Sequence, residues 1–413
     1  MSIVRPFAGL RPSRDKVLEV ACPPYDVVNS DEARAYAEGN PLCFFHISRP
    51  EISLPPGTDE HSDVVYDKGS ENLARFKNEG ILKADPKPCF YFYRQKMGEH
   101  EQTGLVAGAS VDEYQADLIK KHELTRADKE DDRTKHIDLL DANDEPVFLT
   151  YRARETMDAM VDKLTKAPPA YDFTTDDGIV HTFWVVDRPD DIETIEKEMR
   201  AVPALYVADG HHRSAAASRV RELRKERAGP SHTGKEEYNF FLAVIFPHDQ
   251  MQIMDYNRVV KDLGGLSKDE FLAKVSKSFL VEPSSRKQPE QIHCFGMYLD
   301  NRWYSLCAKE ESFDTLDPVA SLDVAILQNN LLKPVLGIEN PRTDKRIDFV
   351  GGIRGMEELE RRVDSGECAV AFSMYPTRMD QLIAVADAGL IMPPKSTWFE
   401  PKLRSGLVIH ELG

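Results

Sequence analysis

The sequence predicts a mixed α/β chain of the α+β kind, and three observations point to it. Strand-length apolar runs alternate with longer segments whose apolar residues recur at helical spacing. Two pairs of strand-like runs flank tight turns at Met97-Gly98-Glu99 and Asp300-Asn301-Arg302, the mark of antiparallel pairs. A short apolar run at 204–208 breaks at Asp209-Gly210 and passes at once into an Ala- and Arg-rich helical segment. Of the 413 residues, 41 % are hydrophobic and 30 % charged, a folding composition rather than a disordered one. That length suits two or three domains. The expected division is an N-terminal α+β region with an acidic segment (1–150), a core (151–265) and a C-terminal α/β region with a closing tail (266–413).

In chain order, residues 30–38 predict a short helix capped by Ser30, and 42–47 a strand. Residues 64–79 have helical character, and 89–94 with 103–111 form the first antiparallel pair. The strand at 204–208 leads to a helix from Ser214 to Arg227, and Gly, Pro and Ser punctuate a loop over 228–235. Residues 240–246 are a wholly apolar strand, 247–250 a turn, and 252–260 its expected hairpin partner. Ser267 and Glu270 form a capping box, each side chain satisfying the other's free amide, and open a helix to Phe279. Runs 293–299 and 303–308 are the second antiparallel pair. Asp317-Pro318 reads as an N-cap followed by proline at the first helical position, with Val319, Leu322, Ala325 and Ile326 on one face. The remainder alternates strand 347–350, helix 356–363, strand 368–374 and helix 377–388, then a proline-rich tail over 392–402.

The formal net charge is −17, which opposes wrapping nucleic acid, since phosphate neutralisation needs Lys and Arg. The absence of a long apolar run excludes a membrane-spanning helix, and the first residues lack an apolar signal core, so a cytoplasmic protein is expected. The six cysteines show no CxxC spacing and sit in apolar strings, so they read as free buried thiols rather than zinc or redox sites.

The strongest chemical signal is Ala208-Asp209-Gly210-His211-His212-Arg213-Ser214. A helix that begins at a glycine turn presents free N–H groups and a partial positive charge, which makes it a ready anion site. His211, His212 and Arg213 add donors there, and Arg can grip a phosphate bidentately. Cationic groups at a helix N-terminus oppose its dipole, so the arrangement favours a bound anion; the plainer alternative is an Asp209 N-cap with solvated histidines. A second signal is His122-Glu123, then Asp132-Arg133, within residues 123–145, which hold nine acidic and four basic residues. Such carboxylates suit Mg²⁺-phosphate chemistry or a general base, or else merely solubilise a loop. The tail supplies Lys395, Lys402 and Arg404, which could close over an anion. Cys22-Pro23-Pro24-Tyr25-Asp26 is a rigid turn that presents Asp26 as a candidate acid.

Asp209-Gly210-His211-His212-Arg213 resembles the DGxHR segment of the ParB/sulfiredoxin-like superfamily, whose turn binds nucleotide phosphates. With Pro23–Asp26, His122-Glu123, Thr125, Asp132-Arg133 and Met392–Lys402, the whole chain resembles the ParB-like family called domain of unknown function 1015. The resemblance implies a ParB/sulfiredoxin-like core with α/β elaborations on both sides. Superfamily members include kinases of free serine, which implies Asp209, His212 and Arg213 at nucleotide phosphates. Mg²⁺ is then expected at Asp209, with ATP or ADP as cofactor. Gly210, His211, Ser214 and Lys395 complete the expected phosphate site, and Glu123 is the expected general base. Sulfiredoxin chemistry is set aside because no cysteine lies in 208–216.

The function expected is therefore a nucleotide-dependent phosphotransferase acting on a small hydroxyl compound, serine first. The alternative is a ParB-like CTP or ATP switch with a protein or DNA partner, favoured only by the basic helix carrying Arg219, Arg221, Arg224, Lys225 and Arg227. A metal-dependent hydrolase using His122, Glu123, Asp209 and His211 ranks last, for want of defined ligand spacing.

Overall fold

The structure, a computed structural model, describes residues 2–413. Contacts gather the chain into two compact units, one formed by Met1–Met251 with Pro401–Gly413, the other by Gln252–Glu400. The sequence suggested breaks at 150 and 265 instead. The observed division follows sheet membership, because the nine-stranded sheet takes its strands from residues up to Pro247 and the six-stranded sheet takes its strands from Tyr256 to Ser373.

The first unit is built on a nine-stranded mixed sheet. Its strands are β1 (Val4–Arg5), β2 (Phe90–Met97), β3 (His100–Ser110), β4 (Ile119–Lys120), β5 (Val147–Tyr151), β6 (Tyr171–Thr174), β7 (Val180–Val186), β8 (Leu205–Asp209) and β9 (Phe240–Pro247). The order is β4-β8-β5-β9-β3-β2-β7-β6, with β1 beside β3. The β4–β8 and β5–β9 pairs are parallel and the rest antiparallel. The predicted β2–β3 hairpin is present, turning at Gly98 with φ +58°. Three helices matter for the site: α1 (Asp63–Asn78), α2 (Ala127–Leu140) and α3 (His211–Ala228).

The main core lies on one sheet face, where Phe90, Leu105, Leu149, Val207 and Ile245 pack against Met157, Ile195 and Met199. A second core gathers Val20, Phe44, Phe45, Ile47, Phe76 and Ile409 under the N-terminal helices. Residues 42–47 are part of it, yet they form a turn and the helix Phe45–Ser48 rather than the expected strand. A short apolar run is ambiguous between buried strand and buried helix, and here both faces are covered. The helix expected at Ser30 does begin there, but its cap is Asn29, whose side chain accepts from the Glu32 N–H.

Thirteen C-terminal residues return to the first unit. Ile409 and Leu10 exchange backbone hydrogen bonds, as do Ser405 and Cys22, and His410 pairs with Asn143.

The second unit carries a six-stranded sheet. Its strands are β10 (Tyr256–Val260), β11 (Phe279–Pro283), β12 (Cys294–Leu299), β13 (Arg302–Ala308), β14 (Ile347–Gly351) and β15 (Val370–Ser373), in the order β11-β13-β12-β15-β10-β14. Helices α4 (Lys268–Val275), α5 (Gly355–Asp364) and α6 (Met379–Asp387) accompany it. The Ser267–Glu270 capping box forms as predicted. The β12–β13 hairpin turns through Asp300 and Asn301, both with positive φ, as a tight two-residue turn requires.

Three expectations fail in this unit. Residues 252–260 do not pair with β9: Gln252–Met254 pairs with Trp398–Glu400, and β10 pairs with β14 and β15. The helix expected at Asp317-Pro318 starts later, at Asp323; Asp317 instead caps a turn by accepting from the Val319 and Ala320 N–H groups. Cys294 and Cys307, opposed across β12 and β13, form a disulfide, while Cys22, Cys43, Cys89 and Cys368 are free and buried as expected. Cross-strand pairing was invisible in the spacing of the cysteines. Among the described residues no helix is long and apolar enough to cross a membrane.

Candidate functional site

One glycine builds the junction between β8 and α3. Gly210 has φ +93°, a conformation side chains other than hydrogen rarely adopt. A Cβ there would lie 3.1 Å from Arg213 Nε and 3.2 Å from its Cζ. The glycine thus turns the chain and leaves room for Arg213 to fold back over the turn. The helix begins at His211 rather than Ser214, so the whole His211-His212-Arg213 triplet forms its first turn.

Arg213 is buried. Its Nη2 donates to Asp26 Oδ2 at 3.2 Å and lies 4.0 Å from Asp209 Oδ1, and its Nη1 donates to the Pro146 carbonyl. Asp209 Oδ1 accepts from the Gly210 N–H at 2.8 Å, and its Oδ2 accepts from Lys402 Nζ at 2.9 Å. Burial opposes the charge on Asp209, but Lys402 and Arg213 outweigh it and hold the carboxyl well below the usual range. Arg213 and Lys402 therefore share Asp209, and Arg213 also faces Asp26 and lies near Glu145.

The histidines behave otherwise than their sequence position suggests. His122 and His211 meet edge to face with ring centroids 4.5 Å apart. Burial pushes His122 down to about 4, and burial with His122 alongside pushes His211 well below its ordinary value. Burial also lowers His212, whose Nε2 accepts from the Arg126 N–H at 3.1 Å. All three are neutral near pH 7, and only Arg213 brings positive charge to the first turn. Asp26 and Asp209 already answer that charge, so the strain expected of three cations without an anion is absent. Ser214, fully buried, donates its hydroxyl to the His211 carbonyl and braces the turn.

The loop before α2 lies against this turn through His122 and Arg126, with Glu123 half-buried between them. Asp132 and Arg133, on α2, stand behind Asp26. Asp132 accepts from Tyr66 at 2.7 Å, pairs with His61 at 2.8 Å and accepts from Arg133 Nε at 2.8 Å. Burial resists its charge, but Arg133, Tyr66 and His61 prevail and bring it down to about 2. The Arg133 guanidinium lies 4.3 Å from the Tyr25 ring centroid, so it supports the turn that carries Asp26.

Glu145 was not singled out in the sequence, although the acidic pair Asp144-Glu145 closes the carboxylate-rich segment. It is buried, accepts from Ser405 Oγ at 2.5 Å, and burial with Asp144 alongside pushes it up to about 8. Asp144 is held ionised despite burial by His136, 3.0 Å away, and by Arg133. Tyr25, Arg133, Glu145 and Arg213 line one small cavity.

Two sequence expectations take a different form. The arginines of α3 are engaged by acids: Arg219 with Glu130 and Asp131, Arg221 with Asp112 and Glu222, Arg224 with Asp138 and Asp141, and Arg227 with Asp138. The stripe that suggested a polyanion partner is largely α3's bond to its acidic neighbours. Lys395 belongs to the second unit, where its ammonium stands 5.6 Å from the Tyr256 ring centroid.

Asp209 alone would bring a carboxylate to Mg²⁺, and each of its oxygens already accepts one hydrogen bond, from the Gly210 amide and from the Lys402 ammonium. Among the described residues no group of three or more His, Cys, Asp or Glu side chains is placed to hold a metal ion.

Comparison with curated proteins gives no match. Among solved structures, the free serine kinase in complex with AMP is 13 % identical, with a TM-score of 0.35 over 70 % of this chain and 85 % of that one. A conserved hypothetical protein from Pyrococcus furiosus is 13 % identical, with a TM-score of 0.32 over 70 % of this chain and 88 % of that one. SbnI with a C-terminal truncation, from Staphylococcus aureus, is 11 % identical, with a TM-score of 0.36 over 73 % and 85 %. Likenesses this loose transfer no activity. The family model described as "Protein of unknown function (DUF1015)" matches residues 4–325, most of the chain, and the protein therefore belongs to the DUF1015 family.

Proposed function

We propose that the protein is a nucleotide-dependent phosphotransferase acting on a small hydroxyl compound, with ATP or ADP as donor and L-serine as the first acceptor to test. One observation carries the reading: Arg213, Lys402 and the partly exposed Asp26 converge on the N-terminal turn of an 18-residue helix. Phosphoryl transfer asks a protein chiefly for positioning and charge neutralisation. The free amides of the α3 turn and the Arg213 and Lys402 cations supply the neutralisation. Bound phosphate oxygens take over Lys402 and Arg213 from the carboxylates that hold them.

Asp26 is the base in this reading. Its side chain is 37 % exposed against 32 % for Asp209, and Glu145 is buried. The Pro23-Pro24 turn fixes its place, so it can take the acceptor's hydroxyl proton as that oxygen attacks phosphorus and the P–O bond to the departing ADP or AMP breaks. Glu123, the base expected from the sequence, is the other carboxylate near the turn. The neutral His212 contributes a ring N–H to the phosphates. No step is assigned to Mg²⁺.

The test is a coupled assay with ATP, ADP or CTP, supplied with and without Mg²⁺, and a panel of small hydroxyl compounds headed by L-serine. Turnover that depends on one acceptor and is abolished by Arg213→Ala supports the reading. Tight nucleotide binding without acceptor dependence replaces it with a nucleotide-gated switch.

A further inference from the structure

We propose that Arg258 and Lys395, both in the second unit, form a binding site for a phosphate group. The site is separate from the α3 turn and does not rest on the function proposed there.

Arg258 lies in the middle of β10 and is 3 % exposed. Buried arginines are ordinarily paired with a carboxylate, because an uncompensated charge in the interior is costly. Arg258 has no such partner among the described residues. Its Nη1 donates to the Tyr256 carbonyl, its Nη2 donates to the Lys395 carbonyl at 2.8 Å, and its guanidinium lies 5.4 Å from the Phe349 ring centroid. Carbonyls and a ring satisfy hydrogen-bonding capacity without cancelling the charge. The consequence shows in the group itself: burial pulls the guanidinium down to about 10.

The second cation sits beside it. Lys395 has φ +59°, a left-handed backbone that turns its carbonyl to Arg258 while its ammonium stands over Tyr256. Lys395 is exposed and likewise has no carboxylate partner among the described residues. The surrounding loop is pinned: Thr377 Oγ1 donates to the Ser396 carbonyl at 2.7 Å, and Ser396 Oγ donates to the Pro393 carbonyl at 2.6 Å. A buried cation is thus bonded to the backbone of an exposed one, and neither is paired with an acid among the described residues, in a protein whose net charge is −17. Elsewhere in the chain buried arginines such as Arg213, Arg362 and Arg404 each face a carboxylate. Two positive charges match a phosphate dianion better than a carboxylate monoanion.

The experiment is titration calorimetry with inorganic phosphate at fixed ionic strength, with acetate and chloride as controls. The full-length protein is compared with Lys395→Ala, Arg258→Met and Arg213→Ala. The proposal expects one phosphate-binding event that weakens at least tenfold in Lys395→Ala, vanishes in Arg258→Met and persists in Arg213→Ala, whereas binding at the α3 turn is the event that Arg213→Ala removes. Lys395→Ala changes an exposed side chain, so it decides the matter even if Arg258→Met fails to fold. Phosphate binding unchanged in Lys395→Ala, or lost only in Arg213→Ala, overturns the proposal and leaves Arg258 as a clamp between β10 and the 393–397 loop. Acetate binding as tightly as phosphate overturns the choice of ligand.

Discussion

Lys402 and Asp209 lie 193 residues apart in sequence and meet at 2.9 Å. The pair joins the last thirteen residues to the strand end where the helix α3 begins. On the proposed function, Lys402→Ala lowers turnover about tenfold to a hundredfold by removing one cation from the proposed phosphate site. Lys402→Arg should recover part of the loss. Steady-state kinetics on the coupled assay check it, and unchanged kcat/KM in Lys402→Ala removes Lys402 from the site.

Arg213 should tolerate no replacement. Arg213→Lys keeps a charge but cannot reach Asp26, Asp209 and the Pro146 carbonyl together. Turnover should fall about a hundredfold or more in both Arg213→Lys and Arg213→Ala, and denaturant unfolding should show a loss of about 3 kcal/mol in Arg213→Ala, which leaves buried acids without their cation.

The base is decided by two isosteric changes. Asp26→Asn should lower kcat about a hundredfold or more, the usual worth of a positioned base, while KM for nucleotide changes little. Glu123→Gln should change kcat less than fivefold. The reverse pattern would move the role to Glu123.

Gly210→Ala tests the turn. The alanine must hold a positive φ and its methyl crowds Arg213, so unfolding should show a cost of about 1–2 kcal/mol. Activity should fall with it, because Arg213 is displaced. A stability equal to the parent's would mean that the turn relaxes.

Glu145 and His122 give stability opposite pH dependences. Glu145 rises from 4.5 to about 8 on folding, so the native state holds a proton that the unfolded chain releases. Its contribution is complete below about 4.5 and is lost as pH rises through 8. His122 falls from 6.5 to about 4, so its contribution is present above 6.5 and is lost as pH falls through 4. Thermal unfolding followed from pH 4 to 9 should show the alkaline decline flattened in Glu145→Gln and the acid decline flattened in His122→Asn.

Much of this was legible in the residues. The Asp209–Arg213 junction announced itself because a strand, a glycine and an alanine-rich helix follow without a gap, and local chemistry sets all three. The β2–β3 and β12–β13 hairpins were legible for the same reason. What sequence reading missed depends on distant partners. Residues 252–260 look like a hairpin mate for β9, yet pairing is decided by β14 and β15, which come some ninety or more residues later. The charge of the histidines was misjudged because burial, not composition, sets it. Glu145 escaped notice because nothing in a run of acids marks the one that Ser405 will cover.

The return of residues 401–413 to the first unit also bears on how the protein is made. A nascent chain presents Asp209 and Arg213 well before Lys402 and Ser405, which follow the whole second unit. The second unit is in effect a long insertion, entered and left through the adjacent strands Gln252–Met254 and Trp398–Glu400. The Asp209–Lys402 pair can therefore form only after residues 252–400 have been synthesised.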